Sequence, residues 1–322
     1  ALAVGTWLLL FHREQSFSVL FDTFGTEGDG SYLPAFAAAA LIGVYQYYGF
    51  EACGDVAEEV PQPGLRIPKS MRRTIYIGGA AATFVTLSLI LSVTDIGAVI
   101  SGENADPVGT ILVEAFGETG SKIVLVIVLL SFLSCAMSLQ AAASRLAYSY
   151  GRDKMIMGSG LWSKFSSTRH VPPYALLLAA VIPGLIVISA QFSTDALTKI
   201  ISFAALGIYI AFAMVVLAAL RARLKGWKPS GLFQLKGWGM PITVLALIYQ
   251  GIAMVNMAWP RTPDASFVDN YIVALSAAVV IGVGLLYMVV AKPYDKGDAP
   301  HGDALDAGTW EHDHKVHTIE SI

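Results

Sequence analysis

One segment, residues 33–60, holds side chains whose types and spacing could bind a small cation and exchange a proton. Tyrosine rings attract ammonium groups through their π faces, and the carboxylate of Glu51, which follows the tyrosines closely, could carry a proton. Glycines in the same segment weaken a helix and expose backbone groups. From residue type alone, the candidate solute-binding residues are Tyr45 and, less strongly, Tyr47 and Tyr48.

Carboxylates in this segment recur at four-residue spacing. Glu51, Asp55 and Glu59 would lie on one face of a continuous helix. An acidic face of this kind could line a water path to the cytoplasm. Structural interpretations stay open beside it: Glu51 could be protonated or bonded to exposed backbone, and the tyrosines could serve packing.

The composition places these side chains in a membrane protein. Of 322 residues, 55% are hydrophobic and 14% are charged, whereas an ordinary soluble domain carries about 25% charged residues. This deficit excludes a soluble enzyme, a nucleic-acid-binding protein and a disordered chain, and the net charge of −3 excludes a broadly basic surface. Cys53 and Cys135 lie in apolar runs and indicate no disulfide framework.

Seven uncharged runs of 21 to 24 residues are long enough to cross a bilayer as helices. At about 1.5 Å per residue, each would extend about 32–36 Å, against a hydrocarbon core of roughly 30 Å. A carboxylate at membrane depth, as Glu51 would be, costs about 2.5–3.5 kcal/mol and is functional by default. The runs are residues 30–50, 74–94, 123–144, 171–194, 200–220, 237–260 and 270–291.

These runs divide the sequence into three regions. Residues 1–11 are apolar and have neither an initiator Met nor a basic flank, so we interpret them as the end of a truncated membrane helix in a fragment. Residues 12–291 hold the seven predicted helices, and residues 292–322 form a polar tail.

Basic residues are distributed unequally along the chain. Seventeen of the 21 lysines and arginines fall on one predicted side, which the positive-inside rule identifies as cytoplasmic. The C-terminal tail belongs to that side. The opposite side includes an acidic loop, residues 95–121, in which the apolar spacing of residues 106–120 predicts a short helix over the outer surface.

Residues 45–71, YQYYGFEACGDVAEEVPQPGLRIPKSM, carry a recognisable motif. They resemble the sixth helix and following loop of the amino acid–polyamine–organocation superfamily, and residues 142–155 resemble the end of its eighth helix. The closing segments are similar to the superfamily's amino acid/choline branch. Members usually have Lys-Asn-Pro where this chain has Pro61-Gln62-Pro63. The matching elements are Gly49-Phe50-Glu51, Ala57-Glu58-Glu59-Val60 and Ile67-Pro68.

The resemblance implies an all-α integral membrane protein with the LeuT-type inverted-repeat transporter fold, in which two five-helix repeats precede two further helices. The seven runs would be helices six to twelve, with most of the N-terminal repeat absent from this sequence. Helix six is broken at the substrate site in this fold. The resemblance therefore implies that the break and the substrate-binding residues are Tyr45, Gln46, Tyr47, Tyr48 and Gly49. The position matching Tyr45 acts as a gate in the family, and Glu51 matches an acidic position just beyond the break. Glu51 and Asp55 are therefore the candidate coupling residues.

Weaker candidates lie in later segments. Ser134 and Ser138 lie on a polar helix face where sodium-coupled relatives have an ion site, although small hydroxyls also let membrane helices pack closely. Tyr209 could reach the solute pathway. The tail sequence EHDHKVH could bind a transition metal, but a flexible cytoplasmic tail is favoured, so no metal or cofactor is predicted. The tail histidines are His301, His312, His314 and His317.

Together, the residues and the resemblance predict a secondary active transporter of the plasma membrane. It would move an amino acid or a related small amine by alternating access, coupled to H+ or another gradient. The sequence has no P-loop for ATP hydrolysis, and no catalytic constellation recurs across the runs, so we expect neither an enzyme nor a nucleic-acid partner. Two alternatives stay open: an exchanger of an amino acid for its decarboxylated amine, and a solute sensor that binds without transport.

Overall fold

The computed structural model describes residues 1–25, 31–190, 194–227, 233–261 and 265–297. Within these residues the chain forms helices and a single isolated β-bridge, without strands, which confirms the predicted all-α fold. The tail histidines lie outside the described residues. The longer helices are α1 (Leu2–Phe11), α2 (Leu33–Gln46), α3 (Pro63–Leu91), α4 (Pro107–Arg152), α5 (Pro173–Ala190), α6 (Thr194–Leu224), α7 (Gly239–Ala258) and α8 (Phe267–Ala291).

Five segments of the described chain form helices that are long and apolar enough to cross a membrane. Two of the seven uncharged runs instead contain shorter apolar helices, Leu33–Gln46 and Pro173–Ile188. The first helix is shorter than its uncharged run because it ends at Gln46. The second ends next to residues that the structure does not describe. The number of spans therefore stays a prediction. The five long segments are Pro63–Leu91, Pro107–Arg152, Phe203–Leu224, Lys236–Ala258 and Phe267–Ala291.

Two of the long helices contain local irregularities. Helix α3 includes Pro68 and a π-helical turn, Thr74–Gly78. Helix α4 is interrupted at Gly117, whose φ of 68° and ψ of 174° are not helical, so residues 107–116 form a separate short helix. This confirms the helix predicted in the acidic loop. Shorter helical elements are Phe17–Phe21, Ala52–Asp55, Ala57–Glu59, Ile96–Ser101, Ser159–Trp162, Lys236–Trp238 and Pro293–Lys296.

The chain forms two compact units, the first comprising residues 1–54 and 69–142. In this unit α1 packs against α3. A Cβ placed on Gly5 would lie 3.0 Å from the Ser88 hydroxyl oxygen, and Leu8 is buried in the same contact. Small residues let membrane helices approach closely, and this contact follows that rule.

Residues that follow α1 donate hydrogen bonds to carbonyl groups at the carboxyl end of α3. The carbonyl oxygen of Leu91 accepts hydrogen bonds from the backbone N–H groups of Glu14 at 3.0 Å and Gln15 at 2.9 Å. The side-chain amide of Gln15 donates to the carbonyl oxygen of Val93 at 2.8 Å. Carbonyls at a helix end lack intrahelical partners, so these bonds fix the turn between α3 and the next helix.

The second unit comprises residues 55–68 and the chain from residue 143 onward. Within it, α6 packs against α5, α7 and α8. The buried side chains at its centre include Leu206 and Tyr209 of α6 and Gln250 of α7. This helix bundle supplies the core of the second unit.

Two ion pairs join the short helical turn Ala57–Glu59 to the carboxyl end of α4. The Nε of Arg145 lies 2.7 Å from a carboxylate oxygen of Glu59, and Nη1 of Arg152 lies 2.8 Å from a carboxylate oxygen of Glu58. The two arginines are seven residues apart and share one face of α4. We call Glu58, Glu59, Arg145 and Arg152 the ion-pair cluster.

We expect the Arg145–Glu59 pair to contribute measurable stability. The Arg145 side chain is 23% exposed and that of Glu59 is 58% exposed, so solvent screens the attraction partly. Arg145→Glu would set two carboxylates side by side and lower the free energy of unfolding. Adding Glu59→Arg should recover part of the loss. A double-mutant cycle by reversible unfolding of the full-length protein in mixed micelles should give an interaction energy of about 0.5–1 kcal/mol.

The same chain offers a matched control pair. Lys122 and Glu118 lie 4.0 Å apart with side chains 76% and 83% exposed, so exchanging their charges should give an interaction energy near zero. An interaction energy for Arg145–Glu59 no larger than that of the control pair would show that the ion-pair cluster does not stabilise the fold.

Candidate functional site

The first apolar helix after residue 30 is broken where the sequence predicts. Helix α2 ends at Gln46, and Tyr47 leaves the helical region with φ −111° and ψ 12°. Gly49 has φ +94°, a conformation that side-chain-bearing residues avoid. A single helical turn, Ala52–Asp55, follows. The break that the resemblance implies at residues 45–49 is confirmed from Tyr47 onward, whereas Tyr45 and Gln46 are still helical. We call residues 47–51 the helix break.

Polar atoms beside the helix break have no hydrogen-bond partner among the described residues. Nε2 of Gln46 and one carboxylate oxygen of Glu51 are both buried and unpaired. An unsatisfied buried polar group costs about 1–3 kcal/mol. Native structures tolerate such groups where water, an ion or a ligand pairs with them. The break therefore presents a donor and an acceptor to a polar solute.

Tyr45 and Gln46 line a cavity of about 520 Å³ within the first unit. Its volume falls within the roughly 300–1,000 Å³ of typical small-molecule sites. The walls are mostly small and apolar, and Thr86 adds a hydroxyl group. The lining residues are Ala1, Leu2, Ile42, Tyr45, Gln46, Ala81, Ala82, Val85 and Thr86.

Tyr47 and Tyr48 do not line this cavity. The Tyr47 hydroxyl lies 2.9 Å from the Thr83 hydroxyl, and its ring covers Gly79 so closely that a Cβ there would clash with it. Tyr47 therefore anchors the helix break to α3. Tyr48 is 41% exposed. The structure brings Tyr45 and Gln46 to the cavity and gives Tyr47 a structural contact instead.

The predicted acidic face of Glu51, Asp55 and Glu59 is wrong as a single helix face. Asp55 ends a one-turn helix, and Glu59 belongs to a separate 3₁₀ turn, Ala57–Glu59, in which side chains do not repeat at four-residue spacing. Glu59 is paired with Arg145. Of the three carboxylates, only Glu51 combines burial with an oxygen that lacks a described partner.

The weaker candidates do not lie at the helix break or in the cavity. Ser134 and Ser138 are exposed on α4, and the Ser138 hydroxyl donates to the Ser134 carbonyl at 3.0 Å, a common bond within one helix. Tyr209 is buried in the second unit, with its hydroxyl 3.3 Å from that of Tyr249. No cluster of three His, Cys, Asp or Glu residues suited to a metal occurs in the described part of the chain.

Sequence reasoning missed the α3 wall of the cavity. Ala81, Ala82, Val85 and Thr86 carry no chemical group that marks a site. The only available signal was the run of small residues at 78–82, which permits close helix approach.

The comparisons with known proteins agree with this architecture. A family model described as amino acid permease matches residues 1–286. Amino-acid permease BAT1 of Arabidopsis thaliana is 28% identical over 83% of this chain and 54% of its own length. Its homolog in Oryza sativa subsp. japonica is 25% identical over 85% of this chain and 53% of its own. Histidine permease HisP of Lactococcus lactis is 24% identical, with 82% and 56% covered.

The chain spans about half the length of these curated relatives. No solved structure gives a significant match. The family match nevertheless extends over most of the sequence, including the helix break, the cavity and both units. This chain therefore belongs to the amino acid permease family and is an integral membrane protein.

Proposed function

We propose that this chain is part of a secondary active transporter for an amino acid or a related small amine. The observation that carries the proposal is the helix break with its unpaired polar groups, in a chain that matches the amino acid permease family. Transporters of the inverted-repeat type bind solutes at broken helices, where backbone and side-chain groups are free to pair with the solute. The similarity to named amino-acid permeases supports transport over catalysis.

In this proposal, Tyr45 and Gln46 contact the solute at one side of the break. Tyr45 offers a ring face to an ammonium group, and the Gln46 amide has an unpaired donor for a carboxylate or carbonyl. Amino acids carry both groups. Gly49 permits the turn that exposes backbone atoms, while Tyr48 is a weaker candidate for contact because it does not line the cavity.

Glu51 is the proposed coupling residue. Its unpaired carboxylate oxygen is buried, and an isolated buried charge is costly. Binding of H+ would remove that cost and give Glu51 two states that a transport cycle can use. Asp55 is a weaker candidate for coupling because it does not lie on a continuous helix face with Glu51.

The membrane arrangement is also proposed. Residues 12–291 would supply seven membrane helices, residues 1–11 the end of a preceding helix, and residues 292–322 a tail. The excess of basic residues on one predicted side supports a plasma-membrane orientation with that tail in the cytoplasm. Alternating access would then move the solute between the two faces.

Flux measurements test the proposal directly. The full-length protein in proteoliposomes should accumulate at least one amino acid or amine from a radiolabelled panel when a proton gradient is imposed. Uptake that requires a preloaded partner amine and no gradient would favour the exchanger. Saturable binding without flux of any compound in the panel would favour a solute sensor and contradict transport.

Tyr45→Ala should weaken binding of the transported solute, whereas Tyr45→Phe should change it little. The loss of a cation–π contact is worth about 0.5–2 kcal/mol, or roughly 2- to 30-fold in Kd. Calorimetric titration of the full-length variants measures the effect. Tyr76→Ala is the matched control because Tyr76 is 67% exposed and outside the cavity. An alanine variant with the parent's Kd would remove Tyr45 from the solute site.

Glu51→Gln should preserve folding but flatten the pH dependence of uptake. For proton-coupled uptake, the parent's initial rate should fall as external pH rises, because a deprotonated carboxylate carries no proton inward. The amide keeps the shape of the side chain and cannot carry a proton, so uptake by this variant should respond less to external pH than uptake by the parent. Glu51→Ala should be worse, since it also removes a group that can pair with exposed backbone.

The measurement is initial uptake against pH, normalised to protein in the membrane. Glu103→Gln supplies the control, because Glu103 is exposed in the loop between α3 and α4. A Glu51→Gln profile that parallels the parent's would leave Glu51 a structural role and place coupling elsewhere in the protein.

A further inference from the structure

The segment between α4 and α5, residues 153–172, has a charge pattern that the proposed transport does not use. No Asp or Glu occurs between Lys154 and His170, while Lys164 and Arg169 add positive charge within that stretch. Exposed apolar side chains are interleaved with these bases. They are Met157 at 67%, Leu161 at 39% and Phe165 at 51% exposure.

The segment is folded rather than extended. The Trp162 indole N–H donates to the Met157 carbonyl oxygen at 2.8 Å. Trp162 also packs tightly on Gly151, since a Cβ added to Gly151 would lie only 2.8 Å from the Cβ of Trp162. Ser166 N–H donates to the carbonyl oxygen of Val171 at 3.0 Å, which closes a turn. The exposed apolar groups are therefore held at the surface by defined contacts.

The basic side chains are positioned by the same fold. The Lys164 ammonium lies 5.3 Å from the centre of the Tyr174 ring, and the Phe165 ring lies 5.7 Å from that of Tyr148. The backbone N–H of Arg169 donates to the Ser166 hydroxyl at 3.3 Å, so the backbone of Arg169 is held within the closed turn. One folded segment therefore carries bases, aromatic rings and aliphatic groups, and we call its exposed side the interface surface.

We propose that this surface binds the headgroups of anionic phospholipids. The segment connects two apolar helices, so it lies where the chain leaves the hydrocarbon. Aromatic and basic side chains together are typical of the membrane interface, and anionic lipids attract clustered bases there. Met157, Leu161 and Phe165 would enter the acyl boundary while Lys164 and Arg169 pair with phosphate.

Lipid titration tests the proposal without depending on transport. The full-length protein in neutral detergent is titrated with short-chain phosphatidylglycerol, with short-chain phosphatidylcholine and with inorganic phosphate, and the unfolding temperature is recorded. Only phosphatidylglycerol should raise it at low concentration, and added salt should weaken the effect. Equal stabilisation by phosphatidylcholine or by phosphate would overturn the proposal, as would no stabilisation by phosphatidylglycerol.

Substitutions locate the effect on this surface. Lys164→Gln with Arg169→Gln should raise the apparent Kd for phosphatidylglycerol roughly 10- to 30-fold. The charge-conserving pair Lys164→Arg with Arg169→Lys should retain it. Arg13→Gln with Lys122→Gln removes the same net charge from exposed positions outside the segment and should also retain it. If the double glutamine variant is unstable without lipid, the two single substitutions replace it. Unchanged affinity in a folded glutamine variant would contradict the proposal.

Discussion

Hydrocarbon offers no hydrogen bonds, so every backbone N–H and C=O group in a membrane helix must find a partner within the protein or in a solute. The helix break at residues 47–51 interrupts the hydrogen-bond ladder of an apolar helix, so its backbone groups need other partners. Part of the cost is met locally: Tyr47 N–H donates to the Gly43 carbonyl at 3.2 Å, and Gly54 N–H donates to the Glu51 carbonyl at 2.6 Å. What stays unpaired is on the side chains of Gln46 and Glu51, and those atoms define the site.

The chain on each side of the break is held by a different kind of contact. Before it, Tyr47 is fixed to α3 by a hydroxyl contact with Thr83 and by close packing over Gly79. After it, the ion-pair cluster holds the segment to the end of α4. The division of the chain into compact units falls at Gly54, directly after the break. The segment before the break and the segment after it are therefore held by separate sets of contacts.

Local sequence patterns predicted the features that depend on residues close together in the chain. Uncharged run lengths gave the helical membrane class, and the glycines of residues 43–54 indicated a weakened helix. The break itself was implied by the family resemblance of residues 45–71. The acidic face failed because its four-residue spacing assumed a continuous helix, whereas the chain turns twice between Ala52 and Glu59. The pairing of Glu59 with Arg145 joins residues 86 positions apart. A local periodicity carries no information about such a distant pairing. For the same reason, the sequence did not predict that Tyr45 lines the cavity while Tyr47 packs against α3.

In the proposed function, Glu51 would link solute binding and ion coupling through one electrostatic requirement. One of its carboxylate oxygens is buried without a hydrogen-bond partner among the described residues, and either a proton or a solute ammonium group would pair with it. If both bind the same carboxylate, each displaces the other, and the cycle exchanges solute for H+. If the ammonium group is held at Tyr45 and the proton at Glu51, the two bind together and the cycle is symport. If the protein is coupled to a proton gradient as proposed, the direction of coupling would depend on whether one carboxylate or two separate groups neutralise charge at the helix break.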